Sequence, residues 1–349
     1  MVIKMSNIDI EEMGIDDISS EDFKFVQTDT LLKDEVYESI PYWKDVLKSF
    51  LKNKGAILGL VIIVFIIIMA IFGPGINEYT YKTVTIEHAS LPPLIPAIKD
   101  VPIIGSLFNG EIYGKDMYAI KGVTTAYWFG TDTLGRDIFT RVWSGARISL
   151  IIAFTAVIID IFIGMIYGLV SGYFGGKVDF IMQRFSEILN GIPTLVLVTL
   201  LSMVLPAGII SIIVALMITG WIGMSRIARA QVLKLKEQEY VLASKTLGAN
   251  NFTIIFKEIL PNIFGQIIIM SMFSIPNAIF TEAYLSFVGL GVPAPIASLG
   301  SLISDGYKSV TIYPFMLFPA VIVLAVLMLS FNLFADGLRD AFDPKQKQM

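Results

Sequence analysis

The sequence predicts an all-α integral membrane protein with six transmembrane helices. Composition is the first reason, because 55% of the 349 residues are hydrophobic and 16% are charged, with a mean hydropathy of +0.72. Soluble proteins have about 25% charged residues. Distribution is the second reason, because the uncharged residues gather into windows long enough to cross a hydrocarbon core of about 30 Å.

Windows without charged residues locate the spans. They cover residues 55–77, 148–172, 188–225, 259–281 and 309–335. Asp160 is the one charged residue inside these windows. The third window, from 188 to 225, would reach about 57 Å as one helix. We therefore predict that it forms two helices joined by a turn at 206–208, which makes six spans and places both termini on one side.

Basic residues near the span ends indicate the orientation. Lys44, Lys48, Lys52 and Lys54 crowd the start of the first window, and residues 224–262 carry six basic residues, whereas the turn at Pro206 carries none. We therefore expect both termini and residues 224–262 to lie in the cytoplasm. Residues 74–147 would then lie on the outer side.

The expected organisation of the chain follows the same windows. Residues 1–40 are rich in Asp and Glu, and we expect them to form a mobile cytoplasmic tail. The other expected segments are an amphipathic lead-in helix at 41–55, a first transmembrane helix at 56–73, an extracytoplasmic segment at 74–147, a five-helix core at 148–335 with a cytoplasmic loop at 224–262, and a cytoplasmic tail at 336–349.

Composition also excludes several classes of site. The chain has no cysteine, which excludes disulfides and thiolate metal sites, and its single histidine, His88, argues against a zinc site or a histidine-based triad. The net charge of −4 argues against nucleic acid as a partner. Gly110 and Gly114 are one residue too close for the phosphate-binding pattern Gly-x4-Gly-Lys-Ser/Thr. We therefore expect no metal site, no catalytic residue and no cofactor bound by this chain.

The cytoplasmic loop contains a helix–glycine–helix pattern. Strong helix formers run from 239 to 247, and Gly248 stands where a helix end needs a left-handed residue. Asn250 or Asn251 would cap a second short helix that runs through Phe256. Two short helices below the membrane suit docking into a groove of a partner protein. An ordinary basic loop is the alternative that spacing alone leaves open.

This segment resembles the EAA motif of ATP-binding-cassette (ABC) importer permeases, above all its version in dipeptide and oligopeptide permeases. Gly248 stands at the invariant glycine of the motif, and a Leu-Pro pair closes it. Leu242, Ser244 and Glu258 depart from the general motif. The resemblance implies that an ATPase docks on eight residues of this segment. These are Glu239, Tyr240, Ala243, Ser244, Gly248, Ala249, Leu260 and Pro261.

Three further stretches, at 130–150, 172–179 and 282–291, resemble the C-type subunit of that family. The motif residues of the first stretch, on the outer face, are Gly130, Thr131, Asp132, Leu134, Gly135, Arg136, Asp137, Arg141, Gly145 and Arg147. Those at the end of span five are Glu282, Leu285, Ser286, Gly289 and Gly291. From the residues themselves, we expect the five charged members of the first stretch to form a salt-bridged collar at the bilayer surface instead of contacting substrate.

The resemblance implies a type I ABC importer permease that moves peptides by alternating access. Its partners would be a second homologous permease, two ATP-binding subunits that hold ATP and Mg, and an extracytoplasmic substrate-binding protein. The chain would cross the lipid bilayer of the cell membrane several times and catalyse no covalent step. Three alternatives remain: the same transporter type carrying nickel complexes or oligosaccharides, a secondary transporter or channel without an ATPase, and a membrane scaffold.

Asp160 is the remaining candidate for function. An acid near the bilayer centre costs about 2.5–3.5 kcal/mol, so we expect its side chain to face protein or a water-filled path instead of lipid. Two interpretations are open. Asp160 is either a bundle residue hydrogen-bonded to a neighbouring helix, or a polar contact in the translocation path.

Overall fold

A computed structural model describes residues 42–103, 105–205 and 208–342. The acidic tail at 1–40, part of the predicted turn at 206–208 and the end of the chain lie outside the described residues. A short hairpin pairs β1 (Glu111–Ile112) with β2 (Lys115–Asp116). The α-helices of the described part are α1 (Tyr42–Phe50), α2 (Lys54–Phe72), α3 (Met117–Lys121), α4 (Ile138–Ile159), α5 (Met165–Phe174), α6 (Gly176–Asn190), α7 (Thr194–Val204), α8 (Ile209–Thr219), α9 (Trp221–Leu235), α10 (Glu239–Thr246), α11 (Asn251–Thr253), α12 (Leu260–Phe287), α13 (Leu299–Lys308) and α14 (Phe318–Phe342).

Within the described residues, five continuous helical segments are long and apolar enough to cross a membrane. They are Lys54–Gly75, Ile138–Phe174, Ile209–Leu235, Asn251–Phe287 and Pro314–Phe342. A sixth candidate is the pair α6 and α7, which is bent by 78°. The bend falls just before Pro193, since proline cannot continue the preceding helix. The prediction of an all-α membrane protein with six transmembrane helices is therefore confirmed, with a bent third span.

The first span begins two residues before the predicted start at 56. The side chain of Asn53 accepts a hydrogen bond from the N–H of Ala56 at 3.1 Å, which caps α2. On the preceding helix α1, Val46 and Phe50 are buried. The lead-in segment therefore contributes apolar side chains to the protein interior.

The second span begins ten residues earlier than predicted, at 138 instead of 148. Asp137 caps α4, because its carboxylate accepts from the N–H of Thr140 at 2.8 Å. Residues 138–147, predicted as part of the extracytoplasmic segment, are therefore helical and continuous with the second span. The charged residues Arg141 and Arg147 ended the apolar window, yet both find partners that let the helix continue.

A π-helical segment, Asp160–Gly164, joins α4 to α5 in one continuous helix. Three glycines, Gly164 at the end of the π turn and Gly168 and Gly172 beyond it, face α9 at close range. A Cβ added at Gly168 would lie 2.4 Å from the carbonyl oxygen of Ser225 on α9. Glycine at every fourth position lets two membrane helices approach in this way. This contact was not predicted, although the spacing of the glycines is visible in the sequence.

Helices of the fourth and fifth spans continue into both ends of the predicted cytoplasmic loop at 224–262. α9 continues the fourth span past its basic residues, and Arg229 pairs with Asp179 of α6 at 2.6 Å. On the other side, α11 passes through a π-helical segment, Ile254–Ile259, into α12. The predicted second short helix is therefore part of the fifth span. Residues 236–250, with α10, are what remains between the two spans.

The last span runs beyond its predicted end at 335. α14 continues to Phe342, so the first residues of the predicted cytoplasmic tail are helical. Leu338 and Phe342 pack in one apolar cluster with Val46 and Phe50. These apolar contacts carry the helix past the charged residues that ended the window.

The segment of the chain that connects spans one and two contains a small buried cluster of two tyrosines and a leucine. Leu91, Tyr118 and Tyr127 are buried together, and the hydroxyl of Tyr118 donates to the carbonyl of Pro92 at 2.8 Å. The ring of His88 is hydrogen-bonded through Nδ1 to the hydroxyl of Tyr127 at 2.7 Å. Burial raises the pKa of both tyrosines, so their hydroxyls stay neutral. The single histidine is therefore hydrogen-bonded to this cluster.

The main apolar core lies among the membrane helices. It takes one buried side chain or more from each of α2, α4, α8, α12 and α14. Representative members are Ile66, Val142, Ile212, Ile279 and Leu327. A second cluster joins α5, α9, α10 and α12 at the end of the molecule that carries residues 236–250.

Candidate functional site

The joint between α10 and α11 has the backbone geometry predicted for it. Gly248 has a φ of +85°, which lies in the left-handed region. The N–H of Ala249 donates to the carbonyl of Ser244 at 3.1 Å and closes the end of α10. The side chain of Asn250 accepts from the N–H of Thr253 at 2.7 Å. The left-handed glycine is therefore confirmed, and Asn250 is the capping residue.

Side-chain contacts fix this joint to the fifth span. Val241 of α10 is buried in one cluster with Ile254 and Ile259 of the π-helical segment. The hydroxyl of Ser244 donates to Oε1 of Glu258 at 3.3 Å. Ser244 and Glu258 both depart from the general EAA motif, and here they are partners. The helix α10 is thus packed on the start of the span that contains α12.

The exposed surface of the joint is largely apolar. Leu247 is 88% exposed and Phe252 is 69% exposed. The rings of Phe252 and Phe256 lie 4.3 Å apart, centroid to centroid. Exposed apolar patches of this kind mark sites of contact with protein or membrane. We call this patch, with its two flanking lysines, the coupling surface: Leu242, Lys245, Leu247, Phe252, Phe256 and Lys257.

The eight residues predicted for ATPase docking lie at this joint, but they are not the most exposed apolar ones. Those on the surface are Glu239, Tyr240, Ala243, Gly248 and Pro261. Those that are half-buried are Ser244, Ala249 and Leu260. Burial, with a smaller effect of Glu258, raises the pKa of Tyr240 and keeps its hydroxyl neutral. Leu247 and Phe252 do not belong to the predicted set. They could have been recognised as large apolar side chains in a loop that also carries charged residues.

Ion pairs of the outer motif centre on Asp132. Its carboxylate accepts from Nε of Arg136 at 2.6 Å and from Nη1 of Arg141 at 3.0 Å. A terminal nitrogen of Arg141 also lies 3.8 Å from the carboxylate of Asp305 on α13. Three of the five predicted members of the collar are therefore joined, since Arg136 and Arg141 both pair with Asp132.

Asp137 and Arg147, the other two predicted members of the collar, bind elsewhere, so the prediction was wrong for them. Asp137 caps α4 and accepts from Nδ2 of Asn77 at 2.9 Å. Arg147 donates to the carbonyl oxygens of Ala70 and Ile71, at 2.7 Å in each case. Carbonyl groups at a helix end lack intrahelical partners and favour a cation. Asp137 therefore caps the start of α4, and Arg147 binds carbonyl groups at the end of α2.

Backbone geometry explains the glycines of the outer motif. Gly130 and Gly135 have φ values of +78° and +72°. A Cβ at Gly135 would lie 1.8 Å from the carbonyl oxygen of Thr85. The hydroxyl of Thr131 accepts from the N–H of Leu91 at 2.8 Å. The loop is thus held in one conformation, from which Leu134 projects as an exposed side chain.

A fully buried acid, Glu282, joins three helices near the end of span five. It accepts from the hydroxyl of Ser149 on α4 and from that of Ser286 on α12, at 2.7 Å each. The hydroxyl of Ser298, which caps α13, donates to that of Ser286 at 3.1 Å. A Cβ at Gly145 would lie 3.1 Å from the backbone of Ser298, so small size permits this approach. The motif predicted Glu282 and Ser286 but not Ser298, whose signal was a serine at a helix start.

The rest of the span-five motif shapes the turn after α12. Leu285 is buried, and Gly289 has a φ of +90°. A Cβ at Gly291 would lie 2.2 Å from the hydroxyl oxygen of Ser286. These residues shape the turn, and none of them lines the cavity beside Asp160.

Asp160 faces the interior of the bundle. Its side chain is buried, and Oδ1 has no hydrogen-bond partner within the described residues. A Cβ at Gly220 would lie 2.7 Å from Oδ1, so the glycine leaves room for the acid. A cavity of about 340 Å³ lies beside it. Asp160 therefore faces protein and a cavity, as expected, and the interpretation as a hydrogen-bonded bundle residue finds no bond at Oδ1.

Comparison with known families decides the class of this chain. The model of the family described as binding-protein-dependent transport system inner membrane component matches residues 161–348. The chain belongs to this family of permeases. A second model, the N-terminal TM domain of oligopeptide transport permease C, matches residues 41–93 of the permease.

Relatives place the permease in one branch of the family. It is 47% identical to the oligopeptide transport system permease protein OppC of Bacillus subtilis, over 89% of this chain and 92% of that protein. Identity to the dipeptide transport system permease protein DppC of Bacillus subtilis is 42%, over 89% and 88%. Identity to OppC of Escherichia coli K12 is 35%, over 87% and 92%. The resemblance to the C-type subunit of dipeptide and oligopeptide permeases is thereby confirmed.

Family membership settles several expectations. The permease is a multi-pass, non-catalytic membrane component of an ABC importer, with the type I architecture. A secondary transporter, a channel without an ATPase and a membrane scaffold are therefore no longer alternatives. The matched ranges contain the joint at Gly248 and the buried Glu282.

Proposed function

We propose that the permease carries peptides inward across the cell membrane by alternating access, driven by two partner ATP-binding subunits. Peptides are the proposed cargo because the relatives above are oligopeptide and dipeptide permeases. An extracytoplasmic binding protein delivers the peptide, and a second homologous permease completes the path. ATP and Mg belong to the ATP-binding subunits, since this chain has no phosphate-binding sequence pattern.

The attachment of the coupling surface to the fifth span carries this proposal. Val241 and Ser244 pack α10 against the π-helical segment, and this segment continues into α12. α12 also forms one wall of the cavity beside Asp160. A displacement of the coupling surface is therefore passed along one helix to the centre of the bundle.

The orientation follows from the same argument. ATP is cytoplasmic, so the coupling surface and both termini lie in the cytoplasm, and the outer motif around Asp132 lies on the opposite side. The distribution of basic residues near the span ends supports this arrangement.

The cycle needs two arrangements of the spans that differ in which side is open. Closure of the ATP-binding subunits around ATP would bring the coupling surfaces of the two permeases together. The packed helices would then shift as bodies, as in other hinge and shear transitions. Hydrolysis and release of the products would restore the first arrangement.

The test is to purify the permease with its partners and measure ATP-dependent uptake in proteoliposomes. Leu247→Glu places a charge at the centre of the coupling surface and should abolish co-purification of the ATP-binding subunits. Leu107→Glu, a change at a 68% exposed residue of the segment between spans one and two, is the matched control and should leave co-purification unchanged. Unaltered co-purification in Leu247→Glu would contradict the coupling surface. Uptake of nickel complexes or oligosaccharides in place of peptides would contradict the proposed cargo.

A further inference from the structure

The acid Asp160 stands at an irregular point of the second span. It begins the π-helical segment, and π turns inside α-helices frequently mark functional sites. Its side chain is 9% exposed, and Oδ1 has no partner within the described residues. Gly220 of the fourth span faces it, and any larger residue there would take the space of the carboxyl group. The surroundings thus leave the acid open towards the cavity.

The opposite wall of the cavity is a polar face of α12. Ser274, Asn277 and Thr281 line it, and their spacing of three and four places them on one side of the helix. The hydroxyl of Ser274 donates to the carbonyl of Met270 at 3.1 Å, and that of Thr281 donates to the carbonyl of Asn277 at 2.8 Å. Because both hydroxyl hydrogens are used in the helix, the oxygen atoms present lone pairs to the cavity.

Among the residues that the structure describes, no lysine, arginine or histidine lines this cavity. Its other large residues are apolar: Leu216, Met224, Ile227, Met270 and Phe273. A buried acid without a partner is costly, and the lone pairs of Ser274 and Thr281 add to the need for a donor. Among the lining side chains, the amide of Asn277 supplies N–H donors, but it carries no charge to balance the acid. The group that complements this lining is a compact cation with several N–H donors on an apolar stem. An ammonium group has three such donors and no acceptor.

We propose that this cavity is a subsite for an ammonium group of the transported peptide, with Asp160 as its counter-ion. The inference rests on the proposed function. A peptide offers this group at its amino terminus or on a lysine side chain. Pockets for small ligands measure roughly 300–1,000 Å³, so a cavity of about 340 Å³ accepts one end or one side chain of a peptide and not a whole oligopeptide.

The test uses the complete transporter with its binding protein in proteoliposomes, supplied with ATP. Uptake is measured at saturating concentration for three peptides: trialanine, N-acetyl-trialanine, and an N-acetylated alanine peptide with one lysine. Asp160→Asn keeps the volume of the side chain and removes its charge. Asp336→Asn is the matched control, since Asp336 is an acid of the last span that does not line the cavity. Basal ATPase activity and the yield of the assembled complex report on structure.

We expect Asp160→Asn to lower the uptake of at least one peptide with an ammonium group about tenfold relative to N-acetyl-trialanine, the loss expected for a hydrogen bond to a charged group. Asp336→Asn should leave that ratio unchanged. A loss for trialanine assigns the amino terminus, and a loss for the lysine peptide assigns the side chain. An equal loss for all three peptides, or no loss, overturns the subsite while ATP-driven uptake persists. If the wild-type complex shows no ATP-driven peptide uptake at all, the proposed function itself fails.

A second measurement needs no variant and does not depend on delivery of acetylated peptides. A trialanine analogue with a photoreactive group beside its amino terminus, and a lysine peptide with the group beside its ammonium, are cross-linked to the wild-type complex during turnover. We expect at least one of them to cross-link to residues around the cavity, such as Phe273 or Met224. Cross-links from both that fall elsewhere on the permease, with none at the cavity, would overturn the subsite.

Discussion

Gly248 ends α10 in a conformation that other residues reach at a cost. Its φ is +85°, and nothing lies within 4 Å of the place a Cβ would take. A substitution there therefore acts through the backbone and not through collision, and costs about 1–2 kcal/mol. We expect Gly248→Val to distort the joint and lower ATP-dependent uptake several-fold. Co-purification of the ATP-binding subunits should fall with it, while the amount of permease in the membrane stays the same.

Gly248→Asn is the matched control for this change. Asparagine enters the left-handed region more readily than other non-glycine residues, and valine is among the least suited. Uptake should therefore be largely retained in Gly248→Asn. Full uptake with normal ATPase association in Gly248→Val would show that the joint does not couple the two proteins.

The residues that the sequence predicted correctly have local partners. Gly248 and Asn250 each depend on backbone groups a few positions away, so spacing alone was sufficient. Arg147 was assigned to the wrong partners because the carbonyl it binds at Ala70 lies 77 positions away. The pairing of Ser244 with Glu258 was also hidden, since the motif describes each position separately.

At the scale of elements, the contact of α5 with α9 depends on residues without side chains. A Cβ at Gly168 would lie 2.4 Å from a backbone oxygen of α9, and backbone cannot swing away as a flexible side chain does. We expect Gly168→Ala to push the two helices apart at a cost of about 1–3 kcal/mol. A lower midpoint of thermal unfolding of the purified complex would measure this loss.

Gly223→Ala provides the comparison within the same helix pair. Nothing lies within 4 Å of the position its Cβ would occupy. Alanine also favours helix over glycine by about 0.8–1.0 kcal/mol, so this variant should be as stable as the wild type or more stable. Equal unfolding midpoints for Gly168→Ala and Gly223→Ala would refute the close approach of α5 and α9.

Element boundaries were predicted less well than the elements themselves. A window of uncharged residues ends at the first arginine, although the helix continues wherever that arginine finds a partner. Arg147, at the start of the second window, binds the carbonyl groups of Ala70 and Ile71, and Arg229, three residues beyond Arg226 at the end of the third window, pairs with Asp179. The joining of α11 to α12 was missed for another reason, because a π turn has no simple signature in the sequence.

For the whole molecule, the absence of cysteine makes the orientation directly measurable. Ser106→Cys and Glu237→Cys each introduce one thiol at an exposed position. We expect an impermeant thiol reagent to label Ser106→Cys in intact cells. Glu237→Cys should be labelled only after the membrane is opened, because basic residues divide the two sides in that way. Labelling of Glu237→Cys in intact cells would reverse the orientation.

The number of spans could be predicted because a bilayer imposes length and apolarity on each helix separately. How the helices meet could not, since packing depends on residues from distant parts of the chain. The cavity beside Asp160 is the clearest case, because spans two, four and five each supply one wall. The 78° bend of the third span was also missed, although Pro193 was visible in the window.

The two π-helical segments determine where the spans tolerate insertions and deletions. Deleting one residue from a regular helix turns everything beyond it by about 100° and shortens it by about 1.5 Å, which no packed span tolerates. A π turn closes its hydrogen bonds over one additional residue. Loss of one residue at 160–164 would restore an ordinary helical turn, and the glycines of α5 would still face α9. Loss of one residue at 254–259 would likewise restore an ordinary turn, and the polar face of α12 would still line the cavity. Among relatives of this permease, single-residue insertions and deletions within the spans should therefore concentrate at these two points.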